Sequence, residues 1–151
     1  MIVEVKSAAE MNSFGKRLAE LLQGGEIIEL VGDVGAGKTT LTRGIAEGLG
    51  ITEDVQSPSF TVSRVYPATP KGIILAHYDF YRLTDPGIMK QELGETMANP
   101  QTVTIIEWGS IVAGILPEDR LTLSIVPPTE STRRIIVESH GLRSKGIEKR
   151  L

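Results

Sequence analysis

Apolar positions along this chain follow two rhythms, and their alternation predicts an α/β protein. Steps of three and four come early: Met11, Phe14, Leu18, Leu21 and Leu22 form one stripe of a helix. Ser7, with Glu10 three residues on, has the spacing of a capping box that opens this helix, and Gly24-Gly25 stops it after about Leu22. A second helical stretch, Thr40 to Leu49, carries Leu41, Ile45, Ala46 and Leu49 on one side, while Gly44 and Gly48 weaken it intrinsically. The other rhythm is that of strands. Residues 2–5, 26–31, 73–76, 102–108, 121–126 and 134–137 are rich in Ile, Val and Leu, and 62–66 alternates as an exposed strand does. Beyond Ala76, period two places 75, 77, 79 and 81 on one face and 76, 78, 80 and 82 on the other. Asp85 as cap and Pro86 at the first helical position predict a third helix reaching Ala98. The stretch from Gly141 is polar and net basic, and reads as a frayed or docking tail.

Length and composition narrow this picture. A chain of 151 residues suits one domain, assigned to residues 1–140, with residues 141–151 as a short basic tail. The absence of cysteine excludes disulfides, thiol catalysis and thiolate metal sites. A net charge of −3 and a pI near 5.4 argue against a broad basic face and strong independent nucleic-acid binding. No apolar run approaches a membrane span, and Met1-Ile2-Val3-Glu4 lacks the basic start of a signal peptide, so a cytoplasmic location is expected.

Candidate chemistry centres on Gly32-Asp33-Val34-Gly35-Ala36-Gly37-Lys38-Thr39-Thr40, which matches the phosphate-binding pattern GxxxxGK[S/T] between a strand-like run and a helix-like run. Glycines allow the backbone to turn tightly and bring N–H groups close to phosphate oxygens. Residues 35–40 are therefore the nucleotide-binding candidates, Lys38 supplying a point charge and Thr39 a hydroxyl ligand for Mg2+. The glycine spacing does not fit the dinucleotide pattern GxGxxG. The expected fold is a single-domain P-loop NTPase, with a mostly parallel central sheet, added antiparallel strands and flanking helices.

Glu107 ends the apolar strand 102–106, as the acidic residue of a Walker B strand does, and is the second candidate metal ligand. Asp79, also at a strand end, is a candidate either for supporting the metal indirectly, behind its direct ligands, or for orienting an attacking water. His77 reads as a packed histidine rather than part of a zinc site with Asp79, which a single histidine at that strand end and no cysteine make improbable. Arg64, Arg82 and Arg133 each have the charge to neutralise phosphate. Trp108 has the shape to stack on a base or partner, although core packing is the favoured role. The polar segment 56–61 is either a nucleotide switch or a hairpin with a proline turn. No NKxD-type segment appears, which favours ATP over GTP.

Together, the phosphate loop, Ser57-Pro58-Ser59-Phe60-Thr61, His77-Tyr78-Asp79-Phe80-Tyr81-Arg82-Leu83 and Ile106-Glu107-Trp108 resemble the TsaE family, small bacterial ATPases of the tRNA threonylcarbamoyladenosine pathway. The resemblance covers about residues 1 to 139. It implies an Mg2+-dependent ATPase, weak alone, that binds TsaB and TsaD and supports their turnover in modifying adenosine 37 of tRNAs reading codons that begin with A. It implies that Lys38 holds the β- and γ-phosphates, that Thr39 and Glu107 hold magnesium, that Asp79 assists hydrolysis, and that Arg133 lies near a nucleotide-contacting arginine. Ser59, Phe60 and Thr61 fall in its switch-like loop, and tRNA is engaged through the partners. Three departures stand out: Ser59 replaces a usual threonine, Gly109-Ser110 replaces a common Pro-Glu, and Met11-Asn12 occupies a region where many members carry a threonine. Two other readings of the same loop are a small-molecule kinase and a nucleotide-gated binding module without essential hydrolysis.

Overall fold

The computed structural model describes residues 1–67 and 69–151; Ala68, inside the polar stretch 51–70, lies outside the described residues. Strands β1 (Ile2–Val5), β2 (Ile27–Val31), β3 (Ser63–Tyr66), β4 (Ile74–Asp79), β5 (Thr102–Glu107), β6 (Leu121–Val126) and β7 (Arg133–Ser139) form one seven-stranded sheet in the order β1-β7-β6-β2-β5-β4-β3. Helices α1 (Ala8–Glu20), α2 (Lys38–Gly48), α3 (Met89–Ala98) and α4 (Leu142–Arg150) accompany it, with a 3₁₀ helix over Gly109–Ile115. The four inner strands β6-β2-β5-β4 run parallel, while β3, β7 and β1 pair antiparallel at the margins.

Parallel strands covered on both faces need apolar residues on both, and so they read as unbroken apolar runs. One apolar cluster gathers Phe14 and Leu18 of α1, Leu41 and Ile45 of α2, and Ile28, Leu75, Val103 and Ile105 from the sheet. The opposite face carries Ile27, Ala76, Tyr78, Phe80 and Ile106 under Leu93 of α3 and Val112 of the 3₁₀ helix. The period-two split predicted through β4 is therefore present, with Leu75 in one cluster and Ala76 and Tyr78 in the other.

Ser7 caps α1, its hydroxyl accepting from the Glu10 N–H at 3.1 Å. The Glu10 carboxylate returns to the N–H of Lys6, at 2.7 Å, one residue before the partner a capping box uses. The glycines that weaken α2 have a packing purpose. A Cβ on Gly44 would collide with the Asn12 carbonyl oxygen, one on Gly48 would sit 2.6 Å from Ala19 Cβ, and one on Gly15 would sit 2.7 Å from the Leu41 carbonyl oxygen. Helices α1 and α2 thus approach backbone to backbone, which fixes the start of α2 and the loop before it.

Two elements depart from expectation. The third helix starts at Met89 rather than at Pro86, because the Asp85 carboxylate accepts from the Gly87 N–H at 2.9 Å and Gly87 adopts φ +55°, turning the chain before the helix. The stretch read as a frayed or docking tail is helix α4, docked on the domain with Ile147 and Ser144 buried. Gly141 precedes α4 and has no side chain to cap it. The Asp119 carboxylate does so instead, accepting from the N–H groups of Arg143 and Ser144 at 3.0 Å each, in space that a Cβ on Gly141 would fill. Among the described residues, no helix is long and apolar enough to cross a membrane.

Candidate functional site

The phosphate-type loop leaves β2 and enters α2 at Lys38. Gly35 and Gly37 take φ +82° and +114°, a region that favours glycine. Nothing lies within 4 Å of where a Cβ on Gly35 would be, so the loop is open at that residue. Gly32 is tightly placed, a Cβ there falling 2.9 Å from the Ile125 carbonyl oxygen, which seats the loop against β6. Arg133 fastens the loop from the margin: its Nε donates to the Ala36 carbonyl at 3.0 Å, while its Nη1 donates to the carbonyls of Thr129, Glu130 and Thr132.

Lys38 is almost enclosed, at 6% exposure. Its ammonium donates to the Gly32 carbonyl at 2.6 Å, lies 3.7 Å from Glu107 Oε1, and sits 4.1 Å from the centre of the Trp108 ring. Glu107 is equally buried, and its other oxygen accepts from His77 Nε2. Strand register explains the convergence. Leu30 at the end of β2 and Asp79 at the end of β4 are both register partners of Glu107, so three strand ends meet at one edge of the sheet.

Asp79 is buried beside them but differently engaged. Its Oδ2 accepts from the hydroxyls of Ser57 and Ser59 at 3.0 and 3.1 Å, and its Oδ1 from the Tyr81 N–H at 2.9 Å. The polar segment 56–61 therefore closes onto the strand end by gripping the Asp79 carboxylate. Among the described residues, two non-glycine residues adopt left-handed backbone, Val62 at φ 68° and Trp108 at φ 55°, and both adjoin this edge. The carbonyl of Val62 accepts from the Asp79 N–H, and Trp108 directly follows Glu107.

Thr39 and Thr40 are half-buried on the first turn of α2. Thr40, Gly35, Gly37, Met11, Ser7 and Arg133 line a cavity of about 230 Å³ beside the loop. Of the three arginines singled out by charge, Arg133 alone contacts the loop among the described residues. Arg64 lies over the Tyr66 ring at 5.2 Å and Arg82 over the Phe60 ring at 4.4 Å. Trp108 packs at the rim of the second apolar cluster, its favoured role, and being only half-buried it also meets Lys38 across its ring and Tyr81 at 4.9 Å between ring centres. Sequence reasoning missed the link from His77 to Glu107 and the grip of Ser57 on Asp79. The period-two alternation hinted at the first, placing His77 and Asp79 on one face; nothing local pointed to the second.

The oxygen donors of Thr39 and Glu107 suit a hard cation that keeps several waters. Among the described residues, no group of three or more His, Cys, Asp or Glu side chains is placed to hold a metal ion. A magnesium site here would accordingly rest on two protein oxygens, from Thr39 and Glu107, together with phosphate. The fit is carried by the loop, open at Gly35, and by the enclosed Lys38 ammonium at its base.

Residues 5–135 match the family described as "Threonylcarbamoyl adenosine biosynthesis protein TsaE". The chain belongs to the TsaE family. It is 44% identical over 115 residues to the tRNA threonylcarbamoyladenosine biosynthesis protein TsaE of Streptomyces coelicolor, covering 76% of this chain and 78% of that one. It is 37% identical over 136 residues to the protein of the same name from Bacillus subtilis, covering 89% and 82%. The crystal structure of Bacillus subtilis YdiB superposes with a TM-score of 0.81 at 30% identity, over 99% of this chain and 91% of that one. All of Lys38, Thr39, Asp79, Glu107 and Arg133 fall inside the segment matched to TsaE, whereas α4 falls outside it.

Proposed function

We propose that this chain is a magnesium-dependent ATPase subunit that supports formation of threonylcarbamoyladenosine at position 37 of tRNAs reading codons that begin with A, acting with TsaD and TsaB. The observation that carries the reading is the placement of Lys38 and Glu107 within 3.7 Å at the base of an open glycine loop, with Asp79 in register beside them. In this reading Lys38 binds the β- and γ-phosphates, exchanging the Gly32 carbonyl and the Glu107 carboxylate for phosphate oxygens. The loop N–H groups of residues 35–40 bind and orient the triphosphate, and Arg133 positions the loop through Ala36. Thr39 and Glu107 hold Mg2+, which when bound neutralises charge on the phosphates. Asp79 orients the attacking water. The chain's acidity fits a subunit that meets tRNA through its partners and works in the cytoplasm.

One observation favours a variant of this reading, a nucleotide-gated binding module. Ser57 and Ser59 donate to Asp79 Oδ2 while the local Tyr81 N–H donates to Oδ1, so Oδ2 is committed to the 56–61 segment, and in this reading hydrolysis needs that segment to release it. The same observation supports an ATPase that is slow alone and accelerated when TsaB–TsaD draws the segment away. The test is steady-state ATP hydrolysis by the purified chain with and without TsaB–TsaD. Slow turnover, raised at least tenfold by the pair and lost in Lys38→Ala, is the expected result. Fast hydrolysis indifferent to the partners would refute partner gating, and unaltered turnover in Lys38→Ala would refute the site. A phosphorylated small molecule formed from ATP would favour the kinase reading.

A further inference from the structure

We infer that His77 is a positioning residue that aims Glu107 for magnesium, through the hydrogen bond from its Nε2–H to Glu107 Oε2. The inference rests on the reading of Glu107 as a magnesium ligand and adds a residue to which that reading gives no role. His77 is fully buried in the middle of the sheet, where β4 and β5 run parallel; its direct register partner is Ile105, and Glu107 lies two residues further along the neighbouring strand. A carboxylate can only accept, so the partner assigns the ring proton to Nε2. The other ring nitrogen, Nδ1, is buried with no hydrogen-bond partner among the described residues. A histidine kept for packing alone is disfavoured there, because an aliphatic side chain of similar size would leave no polar nitrogen unpaired. Among the described residues, the one hydrogen bond the ring makes is to Glu107.

The geometry shows what that contact does. Glu107 has two carboxylate oxygens and two neighbours, His77 on Oε2 and Lys38 on Oε1. With Oε2 held from within the sheet, the carboxylate cannot rotate freely, and Oε1 stays directed to the loop side where Lys38 lies. Carboxylate ligands are commonly oriented in this way, and loss of the orienting partner costs about 10- to 100-fold in metal affinity.

The experiment measures ATP binding to the full chain by titration calorimetry, in EDTA and across a range of Mg2+ concentrations, for the wild type, His77→Leu, His77→Gln, His77→Asn and Glu107→Gln. His77→Gln carries an amide N–H near the place of Nε2 and is expected to stay within about threefold of the wild type in apparent Mg2+ affinity, whereas His77→Leu loses about 10- to 100-fold with Mg2+-free ATP affinity unchanged. The shorter His77→Asn fails to reach Glu107 and loses as His77→Leu does, which keeps the comparison decisive if the leucine variant does not fold. Wild-type Mg2+ dependence in His77→Leu or His77→Asn, with the dependence lost in Glu107→Gln, would overturn the role of His77 alone. So would an equal loss in His77→Gln and His77→Leu. Unchanged Mg2+ dependence in Glu107→Gln would instead overturn the magnesium-ligand reading, and this inference with it.

Discussion

The pairing of Lys38 with Glu107 sets a cost that nucleotide binding has to overcome, and its size follows from the structure. At 3.7 Å, with an effective dielectric constant of about 20, two unit charges attract by about 4.5 kcal/mol. Glu107→Gln keeps the shape and an oxygen able to accept from His77, but leaves an ammonium of 6% exposure without its counter-charge. Breaking a buried pair from one side commonly costs about 3–5 kcal/mol. The Gly32 carbonyl and the Trp108 ring continue to hold the ammonium, so the lower end applies, about 3 kcal/mol. For a chain of this length that lowers Tm by roughly 6–12 °C. Adding Lys38→Met removes the stranded charge, and the double variant should recover about 2 kcal/mol relative to the sum of the single losses. Urea unfolding of the four proteins without nucleotide measures this coupling. If the single losses add to within about 0.5 kcal/mol, the two groups do not interact as described and Lys38 is not restrained by Glu107.

Other expectations follow from the same edge and from the helices behind it. Trp108 is the only tryptophan, so displacement of Lys38 by ATP should change its emission, and Lys38→Met should have an altered baseline and a smaller response; constant emission at saturating ATP would contradict the contact. Gly44→Ala should destabilise by about 1–3 kcal/mol through separation of α1 from α2, whereas Gly94→Ala, facing open space in α3, should stabilise by about 0.5–1 kcal/mol; chemical denaturation giving both the same sign would refute the packing account. Desolvation pushes the Asp119 carboxyl up, but the hydrogen bonds from Ser144 and Arg143 outweigh it and hold it below the ordinary carboxylate value. Its contribution to α4 is therefore fully present above that ordinary value, near pH 4, and is lost as pH falls through the lower folded value. Asp119→Asn should flatten that acid limb in melts between pH 5 and 2, and an unchanged limb would remove Asp119 from the account.

Much of this architecture was legible in the sequence because its cues are local. The glycine spacing from Gly32 to Gly37 marks a tight strand-to-helix loop, and the apolar runs ending at Asp79 and Glu107 describe strands buried on both faces. What stayed hidden depends on residues distant in sequence. Gly44 and Gly48 looked like weak points in a helix until Asn12 and Ala19 appeared against them. The capping of α4 by Asp119 joins residues 24 or more apart, so the polar composition of 141–151 suggested a tail. The Asx turn at Asp85 competed with helix initiation and won because Gly87 accepts a left-handed backbone. The core-edge packing of Trp108 was legible, but its contact with Lys38 was not, because the two residues are 70 apart in sequence.

The central claim is that nucleotide turnover at Lys38 sustains tRNA modification by partner proteins. The most direct measurement is threonylcarbamoyl transfer to tRNA by TsaB and TsaD, followed beyond one turnover per complex, with this chain, without it, and with Lys38→Ala. Sustained product formation only with the wild-type chain and ATP is the predicted result. Equal multiple-turnover modification without the chain, or with Lys38→Ala, would contradict the claim.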